Sequence, residues 1–489
     1  MNHSKVKHIV LMLLIILISL VEVIYILFSP VPRKGLENLW MLPITFCLAF
    51  FGGRKVFWQK KRMLGVKVYL FLAALRYLVQ PILIVLTNGN VSANRMSVVD
   101  EKSYAVSILI ECVELIIVTI VMSVYYPICV KKLESKLINN EMVGNYFGGE
   151  SLHPLLGIKN IGWFIIGAYV LVLLVRINIW LPALKLYGIK SDASQIVVLE
   201  NTLFSCVKTV LFVYCLYRAV MISEESERIG KWHIFTIITG LISCITYFGS
   251  NRSFTLETVV TIMAILMIWF PKHRAKIALS FIPLSAVMLF TMFITKQFGV
   301  NSTSDLNELS FGLQYISNQL EEYTNGPWCI AQSFAASKGL SFNDSLHALI
   351  KDIIDGLVVV FEIPGLKGLN GFASSWRSST QIMKDAFESV DRGQMLSFSG
   401  GFFISFGTFG WIVFPIATML CTMAMIWFSV HGSYEKTIFK QYIYLWSSFL
   451  FGLMHCYCAQ TLIYCMSKYI LFLWLIVLGS KFIIGKKRR

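Results

Sequence analysis

Charged residues are scarce in this chain of 489 residues, where Asp, Glu, Lys and Arg make up 14% and hydrophobic residues 56%. A soluble domain carries about 25% charged residues. This composition therefore cannot cover a water-soluble globule with polar groups. Lipid must be the solvent for much of the surface, and most of the length belongs to membrane-spanning segments rather than to several soluble domains.

Several motifs are absent as well. The eleven cysteines contain no CxxC pair, which argues against a zinc ribbon or a redox motif. No nucleotide-binding glycine loop is present, so ATP-driven transport is not expected. The segment SPVPRKGLEN, between the first two apolar runs, has one carboxylate, Glu37, and lacks the acidic pair that would hold a divalent cation. The sequence thus predicts no cofactor and no metal.

Twelve apolar stretches approach the length of about 20 residues that a helix needs to cross a bilayer. They predict an all-α polytopic integral membrane protein with about twelve transmembrane helices, at 9–28, 36–52, 64–87, 104–128, 161–181, 196–222, 233–249, 255–271, 277–296, 401–428, 440–463 and 467–484. The chain then divides into helices 1–9 within 1–296, one large loop at 297–400, and helices 10–12 with a basic tail within 401–489.

Lys and Arg are concentrated in alternate short connections, as the positive-inside rule requires of cytoplasmic segments. With the N-terminus inside, these segments include 54–62, 131–136, 272–276 and the four terminal residues. Both termini of this multi-pass protein are then predicted in the cytoplasm, with the 297–400 loop outside the cytoplasmic membrane. The formal charge of +16 is explained in the same way, and no basic run is interleaved with aromatics as a nucleic-acid groove requires.

The large loop has helical patterns of its own. Residues 306–322 and 344–361 are predicted to form amphipathic helices, with Asp344 as the N-cap of the second. Segments rich in glycine, proline and serine lie between and after them, as is typical of loops. The extracytoplasmic loop is therefore expected to be a mostly helical cap on the membrane surface rather than a linker.

Ionisable residues inside spans are costly and usually paired or functional. Arg76 lies in the middle of predicted helix 3, and Glu111 and Glu114 share a face of predicted helix 4 because they are three residues apart. The pattern favours a structural ion pair between the two helices, with a proton relay as the alternative. Glu22 and Lys208 raise the same two alternatives.

Other basic residues cluster near the predicted outer side. Arg252 lies in GSNRSF, a very short outer turn, and Arg176 and Lys296 fall near outer helix ends. In the loop, Arg377 follows Trp376, an arrangement that suits a sugar ring beside a phosphate, and Arg392 precedes a glycine. A guanidinium can bind phosphate oxygens through two hydrogen bonds, whereas a purely interfacial or surface role is the alternative for each. In HCYC, His455, Cys456 and Cys458 have a spacing on a helix that would not bring all three to one metal.

The sequence resembles the Wzy-type O-antigen and capsular polysaccharide repeat-unit polymerases of bacterial membranes. The resemblance lies in the span count, the large loop before the last spans, GSNRSF, EYTNGPWCIAQSF at 322–334 and SGGFFISFGTFGWIVFPI at 399–416. It adds substrate-binding candidates, which are Tyr323, Gly326, Pro327, Gly407 and Gly410. Gly407 and Gly410 form a GxxG at the opening of a helix after the outer loop.

The resemblance implies a metal-independent glycosyltransferase that polymerises polyprenyl-diphosphate-linked oligosaccharides on the outer face of the membrane. Arg252 and Arg377 would then be catalytic, Arg176, Arg392 and Lys296 would bind substrate, and a flippase and a chain-length regulator would be partners. A twelve-helix carrier or flippase is the first alternative, although no pseudo-repeat of two halves is visible. A glycan ligase is the second, although QMLSFSGG lacks the histidine that often precedes GxxG in ligases.

Overall fold

The computed structural model of the chain describes residues 3–57, 63–89, 99–142, 167, 195–225, 230–245, 252–283, 286, 313–358, 373–387 and 396–485, and regular structure within them is helical throughout. The main helices are α1 His3–Phe28, α2 Met41–Gly52, α3 Leu64–Leu86, α4 Glu101–Met142, α5 Gln195–Glu225, α6 Lys231–Ile245, α7 Arg252–Trp269, α8 Leu313–Thr324, α9 Pro327–Ser337, α10 Phe342–Gly356, α11 Ser379–Ala386, α12 Phe398–Phe406, α13 Gly410–Tyr434, α14 Ile438–Gly452 and α15, which runs from Ala459 to Gly485. Arg54–Phe57 adds one short helical turn.

Within the described residues, six helical segments are long and apolar enough to cross a membrane, which confirms the helical membrane architecture in its coarser form. They lie in α1, α3, α4, α5, α12 with α13, and α15. A seventh results if α7 and Pro271–Pro283, which meet at a bend of 120°, count as one span. The total of twelve stays a prediction, and the predicted span at 161–181 lies outside the described residues except for residue 167.

The predicted ends of the last two spans are wrong. The stretch 440–463 is not one helix, because α14 ends at Gly452 and a 3-10 turn at Met454–Cys456 precedes α15. The sequence predicted a loop at 464–466. Helix α15 instead continues through these residues and contains a π turn at Met466–Ile470. The span predicted at 401–428 is likewise interrupted, by a 3-10 turn at Gly407–Phe409 between α12 and α13. Hydropathy measures apolar length and does not detect a break that tertiary contacts stabilise.

Helix α14 lies at the centre of the bundle. Each of its residues except Lys440 and Phe451 is buried, and it packs against α3, α5, α7 and α13. By contrast, α1 packs mainly on α2 and exposes leucine, isoleucine and valine side chains along its length, as expected of a helix that faces lipid. The interior of this protein is therefore built around a short, interrupted helix.

The helices of the predicted loop join this bundle. Helix α9 packs on α4 and α12, and Trp328, Cys329 and Ala331 belong to the main apolar core. Helix α10 begins close to its predicted start, but its N-cap is Ser341, whose hydroxyl accepts the Asp344 N–H, and Asp344 lies in the first turn. Helix α8 confirms the C-terminal part of the predicted helix at 306–322.

Candidate functional site

Four ionisable side chains meet in the interior between α3, α4 and the turn that follows α14. Arg76 lies on a π turn of α3 at Leu75–Val79, Glu111 and Glu114 lie on α4, and His455 lies in the 3-10 turn at Met454–Cys456. None of the four is more than 1% exposed. We call these four residues the buried centre.

The Arg76 guanidinium contacts both carboxylates. One terminal nitrogen lies 3.3 Å from Glu114 Oε2, and the other lies 3.7 Å from Glu111 Oε1. The ion pair predicted between these two helices is thereby confirmed. Breaking a buried pair leaves an uncompensated charge, so this contact fixes α3 against α4.

His455 extends the pair to the turn after α14. Its Nδ1 lies 2.8 Å from Glu114 Oε1 and 2.9 Å from an Arg76 nitrogen. Because Nδ1 carries either a hydrogen or a lone pair, it cannot donate to Glu114 and accept from Arg76 together. The negative charge of Glu114 favours a hydrogen on Nδ1 that is donated to the carboxylate.

The charges of the buried centre do not balance while His455 is neutral, since two carboxylates face one guanidinium. Neither Glu111 oxygen, nor Arg76 Nε, nor His455 Nε2 has a hydrogen-bond partner among the described residues. An excess charge in a desolvated site is costly, and one added proton on the imidazole or a carboxyl would neutralise it. The buried centre is therefore suited to hold one exchangeable proton.

A second buried carboxyl, Glu321 of α8, lies next to the buried centre. It accepts hydrogen bonds from the Trp328 N–H, at the start of α9, and from the Gln80 side chain of α3. A Cβ at Gly326 would lie 2.7 Å from Glu321 Oε2, so glycine allows the chain to fold around the carboxylate. The adjacent Asn325 donates to the His455 carbonyl at 2.8 Å, which ties this segment to the turn of the buried centre.

A narrow cleft that opens to solvent ends at Glu321, and its accessible volume is about 30 Å³. Its polar lining includes Gln80, Thr87, Tyr104, Ser317, Asn318 and Glu321. Arg33 donates to the Tyr104 hydroxyl at 3.0 Å, which places a guanidinium beside the cleft. Burial outweighs the hydrogen bonds from Trp328 and Gln80 and raises the pKa of Glu321 to about 7. The cleft therefore ends at a carboxyl able to exchange a proton near neutral pH.

Some of the predicted site residues lie in the described part of the chain, and others lie outside it. Arg252 is the first residue of α7, but its side chain, like Arg176, Arg392 and Lys296, lies outside the described part. Arg377 is exposed and pairs with Asp385 at 3.3 Å, and no contact in the described residues joins it to the buried centre. The remaining predicted residues are found in two places, with Tyr323, Gly326 and Pro327 beside Glu321 and Gly407 and Gly410 at the start of α13.

The two glycines of GxxG have structural tasks in the turn between α12 and α13. Gly407 has a φ of 56°, which favours glycine, and Gly410 begins α13 as the motif predicted. A Cβ on Gly410 would lie 2.7 Å from the Phe403 ring. Close packing is thus sufficient to explain glycine at position 410.

Sequence reasoning missed Glu321 and gave His455 no role beyond a rejected metal site. The signal for His455 was an ionisable residue inside a predicted span, the criterion already applied to Arg76. Glu321 gave no comparable signal, because it immediately precedes Glu322 in a polar segment. Only the folding of 321–328 onto α3 buries the first of the two neighbours.

In its described part, the chain is thus a helical protein with several helices suited to a membrane and a buried charged centre beneath the α8–α9 segment. Comparisons with known proteins return no match to a family model, to a curated protein or to a solved structure.

Proposed function

We propose that this chain is a membrane glycosyltransferase that joins polyprenyl-diphosphate-linked oligosaccharide repeat units into a surface polysaccharide of the O-antigen or capsule type. The observation that carries the proposal is the cleft at Glu321. There, residues 317–328 of the predicted outer loop pack against α3 and α4 next to the buried centre. A cleft lined by both polar and apolar groups, between a polar loop and membrane helices, suits a substrate with a sugar head and a lipid tail.

The reaction leaves a lipid diphosphate, whose negative charge must be stabilised at the membrane surface. Arginines fixed there would do so without a metal, by electrostatic interaction with the developing charge. Arg252 and Arg377 remain the proposed catalytic groups, with Arg176, Arg392, Lys296 and the Tyr323–Pro327 segment as substrate contacts. Arg33 and Lys338 lie at the same end of the bundle as the cleft, Arg33 beside Tyr104 and Lys338 2.9 Å from Asp100.

The proposed location is the outer face of the cytoplasmic membrane, with both termini in the cytoplasm. A flippase would deliver the lipid-linked repeat units, and a chain-length regulator would act beside the polymerase. The bilayer itself would hold the lipid tails of donor and acceptor.

A proton-coupled carrier for lipid-linked oligosaccharide is the second candidate. The buried centre favours it, because Arg76, Glu111, Glu114 and His455 lack one proton for neutrality and lie between membrane helices. Ionisable groups in such positions often form proton relays in transporters.

Purified protein supplied with lipid-linked repeat units decides between the two candidates. Polymerase activity predicts a ladder of longer glycans on the lipid, with and without a chelator. The Arg252→Ala variant should be slower by about a hundredfold, corresponding to about 3 kcal/mol, and Arg252→Lys should recover part of the rate.

Cells that lack the protein give an independent answer. They should keep single repeat units on the outer leaflet or at the surface, with no long glycan. Accumulation of the units on the inner leaflet would instead favour the carrier, and polymerisation that stops with the chelator would contradict the metal-independent mechanism.

A further inference from the structure

Glu321 lies outside the candidate spans and is a buried carboxyl without an ion-pair partner among the described residues. It is 4% exposed, and none of the described Lys, Arg or His side chains forms an ion pair with it. Its partners are neutral, namely the Trp328 N–H and the Gln80 amide. A carboxylate in this position is desolvated without a cation at contact distance.

A structural role for Glu321 at the start of α9 explains the hydrogen bond that it accepts, but it does not explain its ionisable carboxyl. The carboxylate accepts the Trp328 N–H at the start of α9, where the helix dipole favours negative charge. A glutamine at position 321 would accept the same hydrogen bond through its amide oxygen, and no charge would have to be buried. Capping therefore explains an acceptor at position 321, but it does not explain an ionisable one.

The surroundings of Glu321 suit a group that gains and loses a proton. The ionisable groups that face it are Arg76 of α3, Tyr104 and Glu111 of α4, and Cys329 of α9. Burial raises the pKa of Glu321 to about 7, and the smaller lowering effect of the Arg76 charge does not reverse it. Proton transfer in a transition state is most effective when the pKa of the group lies near the working pH.

The cleft supplies access to this carboxyl. Glu321 lines it together with the hydroxyls of Thr87 and Tyr104 and the amide of Asn318. These groups offer hydrogen-bond donors and acceptors at several angles, as the ring hydroxyls of a sugar require. Pro327 and Trp328, which are largely buried, contribute apolar groups to the lining.

We propose that this cleft is the acceptor subsite and that Glu321 is the general base that takes the proton of the attacking sugar hydroxyl. This inference rests on the proposed function. As the hydroxyl oxygen forms a bond to the anomeric carbon of the donor, its proton passes to Glu321. The bond from that carbon to the diphosphate oxygen breaks, and its electron pair leaves with the lipid diphosphate. The proton on Glu321 later passes to water in the cleft.

The decisive variant is Glu321→Gln, because it keeps the acceptor for Trp328 and removes the base. The polymerisation rate at saturating substrate should fall by about a hundredfold at neutral pH. The matched control is Glu22→Gln, which neutralises a buried carboxyl of α1 and should leave the rate unchanged. Glu321→Asp, which retains a shorter base, should give an intermediate rate.

A pH profile and a spectroscopic titration separate a base from a structural residue. The wild-type rate should rise with pH through about 7 as Glu321 loses its proton. In infrared difference spectra, a carboxyl band that titrates in this range should disappear in Glu321→Gln and persist in Glu22→Gln. A merely structural Glu321 would still titrate in the infrared spectra, but the polymerisation rate would not follow that titration.

The outcomes are distinguishable. Full activity of Glu321→Gln, with the wild type active, overturns the inference and leaves the proposed function standing. Wild-type protein that forms no polymer overturns the proposed function instead, and the inference with it. If the glutamine variant fails to accumulate, the wild-type profile decides, since a rate that is independent of pH below about 7 excludes this base.

Discussion

At the residue scale, Arg76 is the cation on which two buried carboxylates depend. We expect Arg76→Met to lower the free energy of unfolding by about 3–5 kcal/mol, because Glu111 and Glu114 would keep their burial and lose their partner. Thermal unfolding in detergent measures this loss. The control is Arg377→Met, which breaks an exposed pair with Asp385 and should cost less than about 1 kcal/mol. Similar losses in the two variants would contradict a stabilising role for the buried pair.

Asp352 of α10 provides a prediction about pH. Burial raises its pKa to about 6, even though the carboxylate accepts the Ser379 N–H at 3.1 Å. The folded state therefore binds a proton more tightly than the unfolded chain does. Consequently this residue adds stability as the pH falls through about 6 toward 4, and that contribution is lost as the pH rises.

Replacing Asp352 with Asn should remove this dependence, since the amide oxygen still accepts from Ser379 and no charge is buried. We expect Asp352→Asn to have a higher melting temperature than the wild type at about pH 8. Its free energy of unfolding should be higher by up to about 3 kcal/mol. The difference should shrink at about pH 5. Asp385→Asn, at an exposed position, is the control. If Asp352→Asn instead melted at a lower temperature than the wild type at about pH 8, the folded protein would be stabilising the charged Asp352 carboxylate.

At the scale of elements, α3 and α14 approach each other through glycine. A Cβ on Gly65 would lie 2.1 Å from the Ser448 carbonyl oxygen, and one on Gly452 would lie 2.6 Å from the Gly65 carbonyl oxygen. Neither contact can be relieved by a side-chain rotation, because both involve backbone. Since α14 is buried except at Lys440 and Phe451, it cannot move away from α3 without disturbing its other neighbours.

We therefore expect Gly65→Ala to cost about 1–3 kcal/mol, as overpacking does in other cores. The control is Gly339→Ala, where a Cβ meets nothing within 4 Å. Accumulation in the membrane and thermal unfolding in detergent report the difference. Equal stability of the two variants would show that the helices separate easily.

The break between α14 and α15 is an element-scale feature that hydropathy could not reveal. A broken helix frees backbone groups, and in an apolar interior these need partners. Asn325 supplies one, because its side chain donates to the His455 carbonyl at 2.8 Å. The partner comes from a segment 130 residues away in sequence, so no local pattern around His455 could indicate it.

At the scale of the whole molecule, segments that the charge distribution assigned to one side lie together. Lys34 is 3.6 Å from Glu101, and Lys338 is 2.9 Å from Asp100, so the first two predicted outer connections meet the predicted outer loop at one end of the bundle. Membrane sidedness itself stays a prediction. The positive-inside rule assigns this end to the outside.

We expect a reporter fused at residue 345 to be external and one fused at residue 145 to be cytoplasmic. The measurement is protease access to the two fusions in intact spheroplasts, with lysed cells as the control for accessibility. Protection of residue 345 in intact cells, together with cleavage after lysis, would reverse the topology. The acceptor cleft would then face the cytoplasm, and polymerisation on the outer face would be excluded.

The sequence by itself determined the helical class, the positions of several spans and two of the helices in the loop, because apolar length and capping patterns are local properties. It also paired Arg76 with Glu111 and Glu114, since lone charges in neighbouring spans need partners. The tertiary structure decided where helices break and which polar groups meet. Glu321 is buried, and His455 reaches Glu114, only because distant segments pack together and remove water from both.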